Sequence, residues 1–193
     1  MAKSTYRGTR DFTQRMHKMA KIFTFNESWN ITFMRMAQEM SARSKDTSTK
    51  VGAVVISPTG EVLSSGYNGF PRGVNDNEPM RQLRPTKYDF VVHAEVNALL
   101  NAGRSGTKVS GGILYVTMPP CTNCAGAVIQ AGIREIIYLE PDVQKQIPGW
   151  RDKLTYSFQM FNEAGVAYKT MNKDGLMTTE EIWRLAELLQ KTK

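Results

Sequence analysis

The chain has 193 residues, 41% hydrophobic and 22% charged, the balance of a globular protein with a buried core rather than of a disordered chain. No apolar run approaches the roughly 20 residues that span a bilayer, and the first residues lack the apolar stretch of a secretory signal, so a cytoplasmic location without a membrane partner is expected. The net charge is +7, but Lys3, Arg7, Arg10, Arg15, Lys18 and Lys21 against Asp11 alone place +5 of it before residue 25, which leaves a nearly neutral body poorly suited to gripping nucleic acid.

Residues 1–24 therefore read as a basic arm, with Phe12 and Phe23 as its only phenylalanines and no stacking pattern. A flexible tail, a subunit contact and a phosphate contact all fit it. From Asn26, the residues Trp29, Phe33, Met36 and Met40 recur at helical spacing and predict an amphipathic helix ending near Ala42. "VGAVVIS" (51–57) and "EVLSSGYNG" (61–69) flank Pro58-Thr59-Gly60 and predict a hairpin. The polar stretch at 70–89 is longer than most connections in a compact domain, and such loops tend to be functional.

"AEVNALLNAG" (94–103) predicts a helix closed by Gly103. There follow a strand in "GGILYVTM" (111–118), a helix in "NCAGAVIQAG" (123–132) and a strand in "REIIYLE" (134–140). A helix ends at Gly165, "VAYKTM" (166–171) forms a last strand, and Thr178 with Glu181 makes a capping box for a final helix carrying Ile182, Leu185 and Leu189. A hairpin followed by alternating helices and strands argues an α/β domain over 25–171, a mixed sheet covered by helices on both faces, with a helical extension at 172–193.

"HAEVNALL" (93–100) and "MPPCTNC" (118–124) hold both cysteines of the chain and one of its two histidines. Cys121 and Cys124, three apart at the start of a helix, share one face, and the helix N-terminus favours their thiolates. With His93 they make three soft ligands for zinc, and three protein ligands leave a fourth position for water, the count of a catalytic site. Zinc can lower the pKa of bound water from 15.7 to about 7. A thioredoxin-like redox pair fits less well, because Pro119-Pro120 precedes the cysteines. A structural zinc closed by a carboxylate, and Glu95 as a mere early-helix charge, are the other readings. His17, in the arm, is given no role.

His93-x-Glu95 followed by Pro120-Cys121-x-x-Cys124 resembles the signature of the zinc-dependent nucleoside and nucleotide deaminases. "RSKDTSTKVGAVV", "GYNGFPRGVND", "YDFVVHAEVNAL", "PPCTNCAGAVIQAGIREIIY" and "FNEAGV" are similar to the deoxycytidylate deaminase family among them, over roughly residues 29–170. The resemblance implies the three-layer cytidine-deaminase-like fold with a five-stranded sheet. It also implies a zinc on His93, Cys121 and Cys124, whose activated water attacks C4 of the cytosine of dCMP. Glu95 would take a proton from that water, deliver it to N3 and help ammonia leave. The product, dUMP, would supply thymidylate synthesis.

By the same resemblance Asn68 and Ala94 contact substrate, and Arg43 and Lys45 are candidates for its 5′-phosphate. Gly69, Arg72 and Gly73 lie where the family places a regulatory nucleotide, dCTP as activator or dTTP as inhibitor, each with Mg2+. A homohexamer is the implied assembly. Asn68 also fits as a turn residue before Gly69, and Arg43 and Lys45 as cations at a helix C-terminus. The chain departs from the pattern twice. No cysteine or histidine remains for the second, structural zinc of some members, and Pro141-Asp142-Val143 stands where some carry an aromatic residue near the substrate. Two other functions share the zinc motif: a polynucleotide editor such as a tRNA adenosine deaminase, for which the basic arm speaks, and a non-catalytic zinc-stabilised binding module. The long 70–89 loop and "GYNGFPRG" favour the nucleotide enzyme.

Overall fold

The computed structural model of the chain describes residues 25–140 and 150–171. The basic arm, the capping-box helix after residue 171 and Pro141-Asp142-Val143 lie outside them. Helix α1 spans Glu27–Ala42, and Asn26 caps it by accepting a hydrogen bond from the Trp29 amide at 3.1 Å. Strands β1 (Gly52–Ile56) and β2 (Val62–Tyr67) form the antiparallel hairpin. A short 3-10 turn at Pro79–Gln82 and a one-turn helix α2 at Lys87–Phe90 lead into helix α3 at Ala94–Ser105. Then come β3 (Ile113–Val116), α4 (Thr122–Gln130), β4 (Glu135–Leu139), α5 (Trp150–Ala164) and β5 (Ala167–Met171).

The strand order is β2-β1-β3-β4-β5, with β1 antiparallel to both neighbours and β3, β4 and β5 parallel. This is the expected five-stranded mixed sheet. All four residues of β3 are buried, as a strand covered on both faces requires. Leu114 and Val116 pack with Ala94, Ala98, Val128 and Phe161 on one side, whereas Ile113 and Tyr115 pack with Phe33, Met34 and Ala37 on the other. Helix α1 thus covers one face, and α3, α4 and α5 cover the other.

Three local expectations change. The apolar stripe of α1 is rotated: Trp29 remains 52% exposed, and Phe33, Met34 and Ala37 are the buried residues. The physical reason is a close approach at Gly52, where a Cβ would be driven into the Ala37 carbonyl oxygen, so the small Ala37 must face the sheet. Helix α3 does not end at Gly103 but continues to Ser105, and the left-handed cap is Gly106 at φ 70°, whose amide donates to the carbonyls of Ala102 and Gly103. The polar stretch after residue 69 is also more ordered than a loop. Phe70 stacks on Phe90 at 5.5 Å between ring centroids, and Arg81 lies over the Phe90 ring at 4.9 Å.

A second close approach fixes the helix that carries the site. A Cβ on Gly66 of β2 would lie 2.6 Å from the Ala94 carbonyl oxygen at the first residue of α3. Gly66→Ala is expected to push α3 off the hairpin and to cost about 1–3 kcal/mol of stability. A thermal melt checks this, and an unchanged midpoint would mean that α3 shifts freely.

Candidate active site

Helices α3 and α4 begin side by side on the same face of the sheet, and the sequence places its chemistry at both N-termini. His93 is the N-cap of α3 and Glu95 lies in its first turn; Cys121 is the N-cap of α4 and Cys124 lies in its first turn. The His93 Nδ1 atom is 3.4 Å from Cys121 Sγ and 3.3 Å from Cys124 Sγ, and the ligand atoms of the three residues all lie within 4.8 Å of one another. A tetrahedral zinc with ordinary bond lengths holds nitrogen and sulfur about 3.6 Å apart, so this cluster needs only a few tenths of an ångström of adjustment. Among the described residues it is the group of His, Cys, Asp and Glu side chains suited to a metal.

The electrostatics fit a soft divalent cation. Both thiols are free and buried. A hydrogen bond from Cys124 holds the Cys121 thiol down at about 4 against the opposing effect of burial, with His93 helping, and the same bond pushes Cys124 above the ordinary thiol range. Thiols bind a metal as thiolates, so a cation bound here displaces their protons. Glu95 is only 4% exposed, and burial pushes its carboxyl up to about 7 although His93 pulls the other way. Its carboxyl hydrogen-bonds the Cys124 thiol, so it stands beside the cluster rather than across the pocket from it.

A cavity opens onto this corner. His93, Ala94 and Glu95 line it together with Asn68, Tyr88 and Met118. Asn68 is buried at the end of β2, and its amide is largely committed. Oδ1 accepts from the Val51 amide at 2.8 Å, while Nδ2 donates to the Thr49 carbonyl at 2.8 Å and to Asp46 Oδ2 at 3.4 Å. One lone pair on Oδ1 is left for a ligand.

The other expected contacts fall elsewhere. Arg43, Lys45 and Gly69 line an adjacent cleft with Tyr67 and Phe70, and the two cavities share Asp46 and Val91. Lys45 pairs there with Asp76 at 2.9 Å. Arg72 lines neither cavity; its guanidinium donates to Asn101 Oδ1 at 2.6 Å. Gly73 also lies outside both, in a turn at φ 83°.

Sequence reasoning missed a buried ion pair in the cavity wall. Lys87 is 4% exposed, and its ammonium donates to Asp46 Oδ2 at 2.8 Å, to Asp46 Oδ1 at 3.0 Å and to Ser48 Oγ at 2.6 Å. Burial tends to raise the Asp46 carboxyl, yet Lys87 and the amides of Ser48 and Thr49 outweigh it and hold it below 3.8. Its charge therefore stabilises the fold above pH 3.8, and that contribution is lost as the pH falls through the lowered value. Lys87 follows Pro85-Thr86 in a polar stretch and reads there as a solvated lysine.

The sequence profile of the cytidine and deoxycytidylate deaminase zinc-binding region matches residues 27–140, from α1 through β4. The chain belongs to the cytidine and deoxycytidylate deaminase family. It is 36% identical over 146 residues to the deoxycytidylate deaminase of Homo sapiens, which covers 73% of this chain and 78% of the human one. It is 34% identical over 182 residues to the deoxycytidylate deaminase of Enterobacteria phage T4, across 74% of this chain and 92% of the phage protein. The crystal structure of dCMP deaminase from the cyanophage S-TIM5 in complex with dCMP and dUMP matches at a TM-score of 0.63 and 26% identity, covering 77% of this chain and 100% of that one. As a member of this deaminase family the chain is a zinc-dependent enzyme, and His93, Cys121 and Cys124 form a donor set that suits the metal. No helix among the described residues is long and apolar enough to cross a membrane.

Proposed function

We propose that this enzyme hydrolyses dCMP to dUMP and ammonia. The observation that carries the reading is the buried Glu95 beside the His93–Cys121–Cys124 cluster, on the floor of a cavity that Asn68 also lines. The deoxycytidylate deaminases among its relatives support the choice of substrate, as does the neighbouring structure that binds dCMP and dUMP.

His93, Cys121 and Cys124 would hold zinc. When bound, zinc supplies the Lewis acidity that brings the ionisation of water close to neutral pH. The rest of the chemistry belongs to the chain. Glu95, ionised, accepts a proton from the attacking water and passes it to N3 of the ring. It then relays a second proton to the exocyclic nitrogen as ammonia departs, so water and dCMP balance against dUMP and ammonia. Burial raises the Glu95 carboxyl, which makes it a better proton carrier at neutral pH than an ordinary exposed glutamate. Ala94 contributes only a methyl group to the floor and leaves room for a flat ring. The remaining Oδ1 lone pair of Asn68 accepts from a sugar hydroxyl. Arg43 and Lys45 lie beyond the shared border at Asp46 and Val91, where they receive the 5′-phosphate.

The product would supply thymidylate synthesis in the cytoplasm. Residues 25–171 form the deaminase domain, flanked by the arm at 1–24 and the extension at 172–193, and the chain assembles as a homohexamer. Regulation by dCTP and dTTP with Mg2+ is part of this reading; Gly69 lines the cleft beside the cavity, with Arg72 and Gly73 on the loop that follows. Comparing kcat/KM for dCMP, dCTP and cytidine tests the substrate. The expected order puts dCMP first, and turnover of cytidine with neither nucleotide accepted would refute it. In the same assay dTTP is expected to suppress activity and dCTP to restore it. Flat activity with both, and no heat of binding by calorimetry, would remove the regulatory site.

A further inference from the structure

We propose that the buried Lys87–Asp46 pair is a positioning device for nucleotide binding, clamping the turn before His93 to Asn68 and so fixing the sugar-facing wall of the cavity. The inference rests on the proposed activity for its kinetic consequence, but its structural basis is independent.

Asp46 joins three separate segments. Its Oδ1 accepts from the amides of Ser48 at 2.8 Å and Thr49 at 3.0 Å, which shapes the 46–51 segment. Both of its oxygens accept from Lys87 on α2, and Oδ2 also receives Asn68 Nδ2. Ser44 adds a further tie, donating from Oγ to the Asn68 carbonyl at 2.8 Å. The α2 turn is linked onward to the site, because the Val91 amide donates to the Lys87 carbonyl at 2.9 Å and Val92 exchanges two backbone hydrogen bonds with Gly69. Lys87 thus sets the spacing between Asn68 and the residues leading into His93.

The lysine is not free to bind a ligand itself. An ammonium has three donors, and the two Asp46 oxygens and Ser48 Oγ take all of them. A lysine meant for phosphate would present at least one donor to the cavity. This one faces the cavity wall with its charge already matched, as a buried cation must be. Glu95 and His93 stand on α3, which Gly66 and the core hold without help from the pair. Loosening Lys87 should therefore disturb where the nucleotide sits more than the proton transfers.

The test compares the parent enzyme with Lys87→Met and with the double variant Asp46→Asn/Lys87→Met, in steady-state kinetics with dCMP, zinc content and thermal melts. Lys87→Met leaves a carboxylate buried alone and is expected to lower the melting temperature; the double variant removes both charges and recovers it. In both variants KM for dCMP rises about tenfold while kcat stays within about threefold and zinc is retained. A double variant that recovers KM along with stability, or that fails to fold, overturns the proposal and makes the pair merely structural. Amide exchange supplies a readout that needs no substrate. The Val51 amide, held by Asn68 Oδ1, should exchange about tenfold faster in Lys87→Met. Unchanged exchange there overturns the clamp even if dCMP is not the substrate, whereas a parent enzyme inert toward dCMP refutes the activity alone.

Discussion

Glu95→Gln is expected to keep its zinc and lose turnover by about 10²–10⁴-fold, the range general acid–base catalysis supplies. The side chain does not belong to the three-residue donor cluster, so replacing its carboxylate should leave the metal in place. Glutamine fills the same buried space but cannot accept a proton from water or return one to the ring. Stability should not fall, because burial already disfavours the ionised carboxylate, as its rise to about 7 records. Zinc content by atomic absorption, alongside the rate of ammonia release, separates the two effects. Full activity in this variant would reduce Glu95 to an early-helix charge.

Cys124→Ala is expected to abolish both metal binding and activity. Cys124 is 1% exposed, and its sulfur lies 3.3 Å from His93 Nδ1. Without it two ligands remain, too few for a tight zinc site. The loss reaches beyond catalysis, because metal bound only by the folded state adds to its stability: a site saturated about 100-fold above its Kd contributes about 2.7 kcal/mol. The parent enzyme should therefore melt at a lower temperature after chelation, whereas Cys124→Ala should melt at one temperature with or without chelator. A chelator-dependent shift that survives in Cys124→Ala would place the metal elsewhere.

Much of this is legible in the sequence alone, for identifiable reasons. The short continuous apolar runs of β1 and β3, buried throughout, and the turn at Pro58-Thr59-Gly60 announce the hairpin and the central strands. The spacing of Cys121 and Cys124 at a helix start announces a shared face, and His93-x-Glu95 supplies the third ligand and the carboxylate. What the sequence did not disclose depends on distant partners. The rotation of α1 follows from contact between Ala37 and Gly52, which helical spacing within α1 cannot report. Gly103 and Gly106 are both plausible caps, and only the backbone turn at Gly106 decides between them. Asp46 and Lys87 are 41 positions apart, and each looks like a surface charge until the fold buries them together. Arg43 and Lys45 are placed by the same tertiary geometry, which sets them in the neighbouring cleft rather than on the cavity floor.

The most direct measurement is ammonia release from dCMP by the purified enzyme, first zinc-loaded, then stripped by chelation, then reconstituted. Ammonia and dUMP should appear in equal amounts, cease when zinc is removed and resume when it is restored. No ammonia from the zinc-loaded enzyme, or a rate that persists unchanged in the stripped one, would contradict the account.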